Sequence, residues 1–155
     1  MDFNNLNEII DFAISKEIEA AEFYRSVSEQ ESFSGKKEMF LEFAAEERKH
    51  QALLENLKSG SVDPQVDEYQ FKWITDLKRS DYVHDIAYKP GMAYSDILLL
   101  AAKREEKSLA LYNDMLANAG TEESRKVFKM LCQEEAKHKL ALETMLDDYM
   151  AEMGD

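Results

Sequence analysis

Glu47-Arg48-Lys49-His50 and Glu135-Ala136-Lys137-His138 are one tetrad written twice, 88 positions apart, and another glutamate stands 30 positions before each, Glu17 for the first and Glu105 for the second. A glutamate three positions before a histidine is common enough in a chain with 20 Glu among 155 residues that the tetrads alone would decide little. The offset, however, runs well beyond them. Ile9, Ala13, Tyr24, Phe40, Glu46, Lys49, Leu54 and Glu55 recur unchanged at 97, 101, 112, 128, 134, 137, 142 and 143. The chain is an internal repeat of a helix pair, and the pattern predicts a paired metal site inside a four-helix bundle.

Four amphipathic helices follow from apolar residues spaced three and four apart, at about 5–29, 36–58, 94–118 and 122–150. Leu6, Ile9, Ala13, Ala20, Tyr24 and Val27 line one face of the first, and Glu17 lies in that stripe. Phe40, Phe43, Glu47, His50, Leu54 and Leu57 line the second; Ile97, Ala101, Glu105, Ser108, Tyr112 and Met115 the third; Phe128, Leu131, Glu135, His138, Leu142 and Met145 the fourth. Asn5 with Glu8 resembles a capping pair at the start of the first helix. Thr121 is the expected N-cap of the fourth, with Glu122 and Glu123 complementing its dipole. Short connections around 32–35 and 118–121 make each half an antiparallel hairpin, 5–58 and 94–150. The stretch 59–93, holding Gly60, Pro64, Trp73 and Pro90, is long enough to cross the bundle, with a short helix expected near 69–79. The expectation is an all-α four-helix bundle spanning 1–155 as a single domain, two hairpins joined by one long crossover.

Composition narrows the function. A chain of this length buries about two thirds of its unfolded surface. Its net charge of -13 leaves no concentrated basic face for nucleic acid phosphates. The longest apolar run, 97–102, is far short of the roughly 20 residues a membrane span needs. The start, MDFNNLNEII, carries no basic and apolar leader pattern, so the default address is cytoplasmic. Cys132 is the single cysteine, which excludes an intrachain disulfide and a Cys-rich electron-transfer module within these residues.

Residues three apart on a helix differ by roughly 60° in direction, so Glu47 and His50 point into the same space, as do Glu135 and His138. Four carboxylates in a bundle core without compensation would cost several kcal/mol each, so a sequence that places them symmetrically implies protonation or bound cations. Four Glu and two His form a mixed oxygen and nitrogen set suited to iron or manganese rather than to a sulfur-rich structural zinc site. Glu17 with His50 would serve one metal and Glu105 with His138 the other, with Glu47 and Glu135 bridging. Bridging carboxylates hold two metals at roughly 3.5–4 Å, a spacing at which dioxygen or peroxide can meet both.

Those residues resemble the ferritin-like di-iron carboxylate superfamily, and most closely the di-iron domain of rubrerythrins, over both hairpins. The resemblance implies that a tyrosine seven positions after the first-helix glutamate hydrogen-bonds to the site; Tyr24 stands there, and Tyr112 follows Glu105 equally. It also implies an additional third-helix glutamate three positions after Glu105, where this chain has Ser108, and a rubredoxin domain with two C-x-x-C pairs, which these residues lack. A separate electron-donor protein is therefore expected. Bacterioferritins, which have a similar ligand set, hold haem through a methionine immediately after the second-helix glutamate; Arg48 stands there, so no haem is expected.

Other residues have plainer readings beside sharper ones. Tyr24 and Tyr112 are core aromatics or contacts to ligand carboxylates, and Glu46 and Glu134 are exposed helix carboxylates or acceptors for the histidines four positions on. Cys132 reads as a small core residue, and Asp81 with His84 as surface. The leading functional expectation is an oxidoreductase with two metal ions, iron before manganese or zinc, that reduces hydrogen peroxide or dioxygen with electrons from a separate partner. A homo-oligomer, a dimer before a larger assembly, goes with it. The alternatives are a ferroxidase and iron-storage subunit and a non-catalytic, metal-stabilised interaction module.

Overall fold

Helix α1 spans Leu6–Gln30, α2 Ser34–Lys58, α3 Pro64–Asp67, α4 Tyr94–Ala117 and α5 Glu122–Met153, with a 3-10 turn at Arg79–Tyr82. The structure, a computed structural model of the chain, describes residues 6–30, 34–82 and 87–153. Among these there is no strand. The four long helices fall within a few residues of the sequence expectation. The last runs on to Met153 because neither Gly nor Pro interrupts it before Gly154. The expected N-cap is present: Thr121 Oγ1 accepts the Ser124 N–H at 3.1 Å, and Ser124 Oγ accepts the Thr121 N–H at 3.3 Å. Asn5 and the residues at 31–33 lie outside the described residues.

Two apolar clusters fill the bundle, one at each end. The first joins Ile10 and Ala13 of α1, Leu54 and Leu57 of α2, Tyr112 and Met115 of α4, and Val127, Phe128 and Leu131 of α5. The second joins Tyr24 and Val27, Phe40 and Phe43, Ile97 and Leu98, and Leu142 and Leu146. Helices α1 and α5 thus run from the first cluster to the second, α2 and α4 the opposite way. The hairpin partners α1 with α2 and α4 with α5 pack most closely, and the α2/α5 and α1/α4 seams close the bundle. Each helix crosses from one cluster to the other through a middle layer of about one turn, and there the apolar stripes give way to Glu and His.

This direction of travel explains the crossover. α2 ends beside the first cluster and α4 begins beside the second, so the chain between them must traverse the bundle lengthwise, and it does so along α5. Val66 anchors its start in the first cluster. Gln133 of α5 accepts the Lys72 N–H at 3.2 Å and donates to the Lys72 carbonyl. Lys139 Nζ donates to Asp76 at 2.5 Å, Glu143 accepts the N–H groups of Arg79 and Ser80, and Arg79 meets Asp147 at 2.9 and 3.1 Å. The helix expected near 69–79 does not form, and residues 70–78 are extended or irregular. Aromatic and β-branched residues crowd this segment, and two of its backbone donors go to side chains rather than to a helix ladder, the Lys72 N–H to Gln133 of α5 and the Lys78 N–H to Asp76 Oδ1. Lys78 itself sits at φ 58°, a left-handed conformation that interrupts any helix.

Candidate metal centre

Glu17 from α1, Glu47 and His50 from α2, Glu105 from α4, and Glu135 and His138 from α5 meet in the middle layer, and none is more than 3% exposed. Their donor atoms form two groups of four, Glu17, Glu47, His50 and Glu135, and Glu47, Glu105, Glu135 and His138, with all atoms of a group within 4.8 Å of one another. Glu47 and Glu135 belong to both. His50 Nδ1 lies 3.3 Å from Glu135, 3.5 Å from Glu17 and 3.9 Å from Glu47; His138 Nδ1 lies 2.8 Å from Glu47 and 3.4 Å from Glu105. The structure thus brings together all six residues marked by the repeat.

Tyr24 and Tyr112 brace this layer crosswise. Tyr24 Oη of α1 donates to Glu105 of α4 at 2.5 Å, and Tyr112 Oη of α4 donates to Glu17 of α1. Burial and the nearby carboxylates push both phenols well above their ordinary value, so they remain protonated donors. The outer nitrogen of each histidine faces a carboxylate across the other seam. His138 Nε2 bonds Glu46 of α2, and His50 Nε2 lies 3.7 Å from Glu134 of α5. Sequence spacing pairs each of these glutamates with the histidine on its own helix. The structure pairs each with the histidine of the opposite helix, because the rings point into the α2/α5 seam and the carboxylates reach across it.

Two further contacts had no signal in the repeat. Tyr69, on the crossover, donates its hydroxyl to Glu134 at 2.6 Å. The Phe43 ring stacks on His138 at 4.5 Å between centroids, a pairing invisible while Phe43 is only one member of an apolar stripe. Other candidates stand apart. Cys132 is half-buried at the edge of the first cluster, and burial pushes its thiol up to about 11, far from a reactive thiolate at neutral pH. Arg48 is exposed and donates to Gln51. Ser108 lines a groove between α1 and α4, outside both donor groups. His84 lies outside the described residues.

The electrostatics divide the carboxyls into two kinds. Burial, reinforced by the Glu105 charge, lifts Glu47 and Glu135 well above the carboxylate range. Burial would raise Glu17 as well, but neighbouring Glu47, His50 and Tyr112 hold it down at about 2. Glu105 is likewise held low against its burial by Glu135, His138 and Tyr24. Burial would lower both imidazoles, yet the surrounding carboxylates lift His50 and His138 well above their ordinary value. Without metal, Glu47, Glu135 and the two histidines are thus biased toward their protonated forms and Glu17 and Glu105 toward their charged ones.

Even so, it is poorly satisfied. Of ten buried side-chain polar atoms without a hydrogen-bond partner among the described residues, eight belong to these six side chains, including Glu17 Oε2, Glu105 Oε2, both Glu135 oxygens and Nδ1 of each histidine. An unpaired buried polar atom costs about 1–3 kcal/mol, so a set of oxygens and nitrogens converging without partners is what a cation would repair. The donor set therefore fits two divalent ions.

A four-helix bundle with a buried carboxylate and histidine layer between its two hairpins is the ferritin-like class. Within that class the chain belongs to the rubrerythrin family, whose family model, described as Rubrerythrin, matches residues 8–146. No curated protein and no solved structure matches it. Among the described residues no helix is long and apolar enough to cross a membrane.

Proposed function

We propose that the chain is a di-iron carboxylate oxidoreductase that reduces hydrogen peroxide or dioxygen with electrons from a separate protein. The observation that carries this reading is the pair of donor groups sharing Glu47 and Glu135, with their donor atoms buried and unpartnered. Glu17 and His50 would complete one metal position, Glu105 and His138 the other. When bound, the metal pair supplies the electrons and the Lewis acidity that cleave an O–O bond.

The chain's own residues supply the rest. Tyr24 and Tyr112 fix the orientation of Glu105 and Glu17 through hydroxyls that stay protonated. Glu46 fixes the His138 ring with Nδ1 facing inward and raises its basicity, while Glu134 faces the outer nitrogen of His50 from 3.7 Å without bonding it. Apolar clusters above and below exclude bulk water from the layer. A hydroxyl stands at position 108 in place of a further carboxylate, so the carboxylate supply is limited to the four glutamates of the layer.

Anaerobic loading with Fe(II), followed by stopped-flow absorbance on mixing with peroxide or with oxygen, tests the proposal. Iron oxidation faster with peroxide supports peroxide reduction; oxidation faster with oxygen points to an oxidase or ferroxidase. Glu47→Ala removes a donor common to both groups and should abolish binding of two metals per chain. His138→Ala should leave about one. Retention of two metals and full oxidation rate in both variants would refute the assignment.

A further inference from the structure

The repeat makes the six-residue layer two-fold symmetric, but the crossover covers only one side of the bundle, and the surroundings of the two histidines differ. On the α2/α5 side a cleft of about 500 Å³ is bounded by the crossover and reaches His50. Glu46, Asp63 and Glu134 line it with Lys49, and Lys137 reaches Glu134 from beside the cleft at 3.0 Å. His50 is 2% exposed, and neither of its ring nitrogens has a hydrogen-bond partner. Its Nε2 stands 3.7 Å from Glu134 at the cleft's inner end. His138 is placed otherwise. Its Nε2 is bonded to Glu46, and Phe43 is stacked on its ring.

We propose that this cleft is the route by which divalent cations reach the layer, and that they arrive past His50; the inference rests on the dimetal reading above. Three carboxylates against two amines leave the cleft net negative and concentrate cations at its mouth, whereas a neutral oxidant gains nothing from that charge. Glu134 and the unpartnered His50 Nε2 then offer an oxygen and a nitrogen at the inner end, beside the shared donors Glu47 and Glu135. The groove on the opposite seam has the reverse character. Lys16, Lys103, Arg104 and Lys107 line it against Glu19, so it repels the same ions.

The test uses Co(II) alone as the probe, with its visible absorption on entering the protein followed by stopped flow at low ionic strength. Asp63→Asn removes a cleft charge while keeping the side-chain oxygen that caps α3 by accepting the Gln65 N–H at 2.9 Å. Ala52→Arg places bulk and positive charge at an exposed position lining the cleft. Uptake should slow by roughly threefold in the first and tenfold or more in the second, with the final absorbance unchanged. Lys103→Gln, in the opposite groove, should leave the rate as it was. Unchanged rates in both cleft variants, or slowing by Lys103→Gln equal to theirs, would overturn the route while leaving the dimetal reading intact. No cobalt absorption in the unaltered protein would overturn both.

Discussion

Loading the layer with two divalent ions should expel protons. Burial and the Glu105 charge raise Glu47 and Glu135 well above the carboxylate range, and the carboxylates around them raise His50 and His138 well above the ordinary imidazole value. Glu17 and Glu105 are already ionised at neutral pH. Each metal ligand must be deprotonated, so filling both positions releases the protons that these four raised groups hold. Affinity for the pair should then rise with pH, by roughly 1.4 kcal/mol per pH unit for each proton released. Titration with Zn(II) in buffers of different ionisation enthalpy counts the protons directly. Release of one proton or none would refute the charge assignment of the layer.

Stability carries the same linkage with a definite sign. All four raised groups bind protons more tightly folded than unfolded, so their contribution to the metal-free protein is full below their unfolded values. It is lost as pH rises through the folded ones. Glu17, held at about 2, acts the other way: its contribution is present above its ordinary 4.5 and disappears as pH falls toward 2. The melting temperature of metal-free protein should therefore decline from pH 6 to pH 9, while that of loaded protein, whose protons at these groups are gone, should stay nearly level. Parallel curves for the two forms would contradict this.

Tyr24→Phe and Tyr112→Phe should each destabilise the metal-free protein by about 1–3 kcal/mol, since each leaves a buried carboxylate oxygen without its donor. Denaturant melts check this, and a loss confined to one of the two would break the two-fold reading. Lys139→Met should cost about 3 kcal/mol, because Lys139 and Glu143 are both buried and removal of the ammonium leaves Glu143 with the Arg79 and Ser80 N–H groups but without its cation. For a chain of this size that lowers the melting temperature by roughly 6–12 °C, measurable by calorimetry; an unchanged value would mean that the crossover is not fastened there.

Most of the bundle was readable because the information is periodic. Glu17, Glu47, Glu105 and Glu135 interrupt apolar stripes at matched heights, and an 88-residue repeat places two such stripes on equivalent helices, so both the helices and the polar layer follow from spacing. What spacing cannot supply is the identity of partners across a seam. Glu46 sits in sequence beside His50 but in space beside His138, since the choice depends on helix rotation and ring direction. The crossover was legible only as a length. Its path is set by Gln133, Lys139 and Glu143, polar residues of α5 that a helical wheel reads as ordinary surface. Glu143 shows this most clearly: its repeat counterpart Glu55 is exposed, whereas Glu143 is buried against the Arg79 and Ser80 N–H groups.

The ratio of four glutamates to two histidines has its own logic. Loaded, the layer would balance two dications against four carboxylates with neutral imidazoles; metal-free, the raised groups favour protons in the dications' place. Exchanging protons for divalent ions would thus limit net charge in a core where an unmatched one costs several kcal/mol. Oxidation of a bound pair by two electrons would add two positive charges to that balance. Among the described residues the further carboxylates beside the histidines are Glu46, bonded to His138, and Glu134, held by Tyr69 and Lys137 at 3.7 Å from His50. The added charge would therefore be met more directly at the His138 position than at the His50 position. A layer with the same six residues and neutral groups at 46 and 134 would bind the divalent pair comparably but would oppose its oxidation.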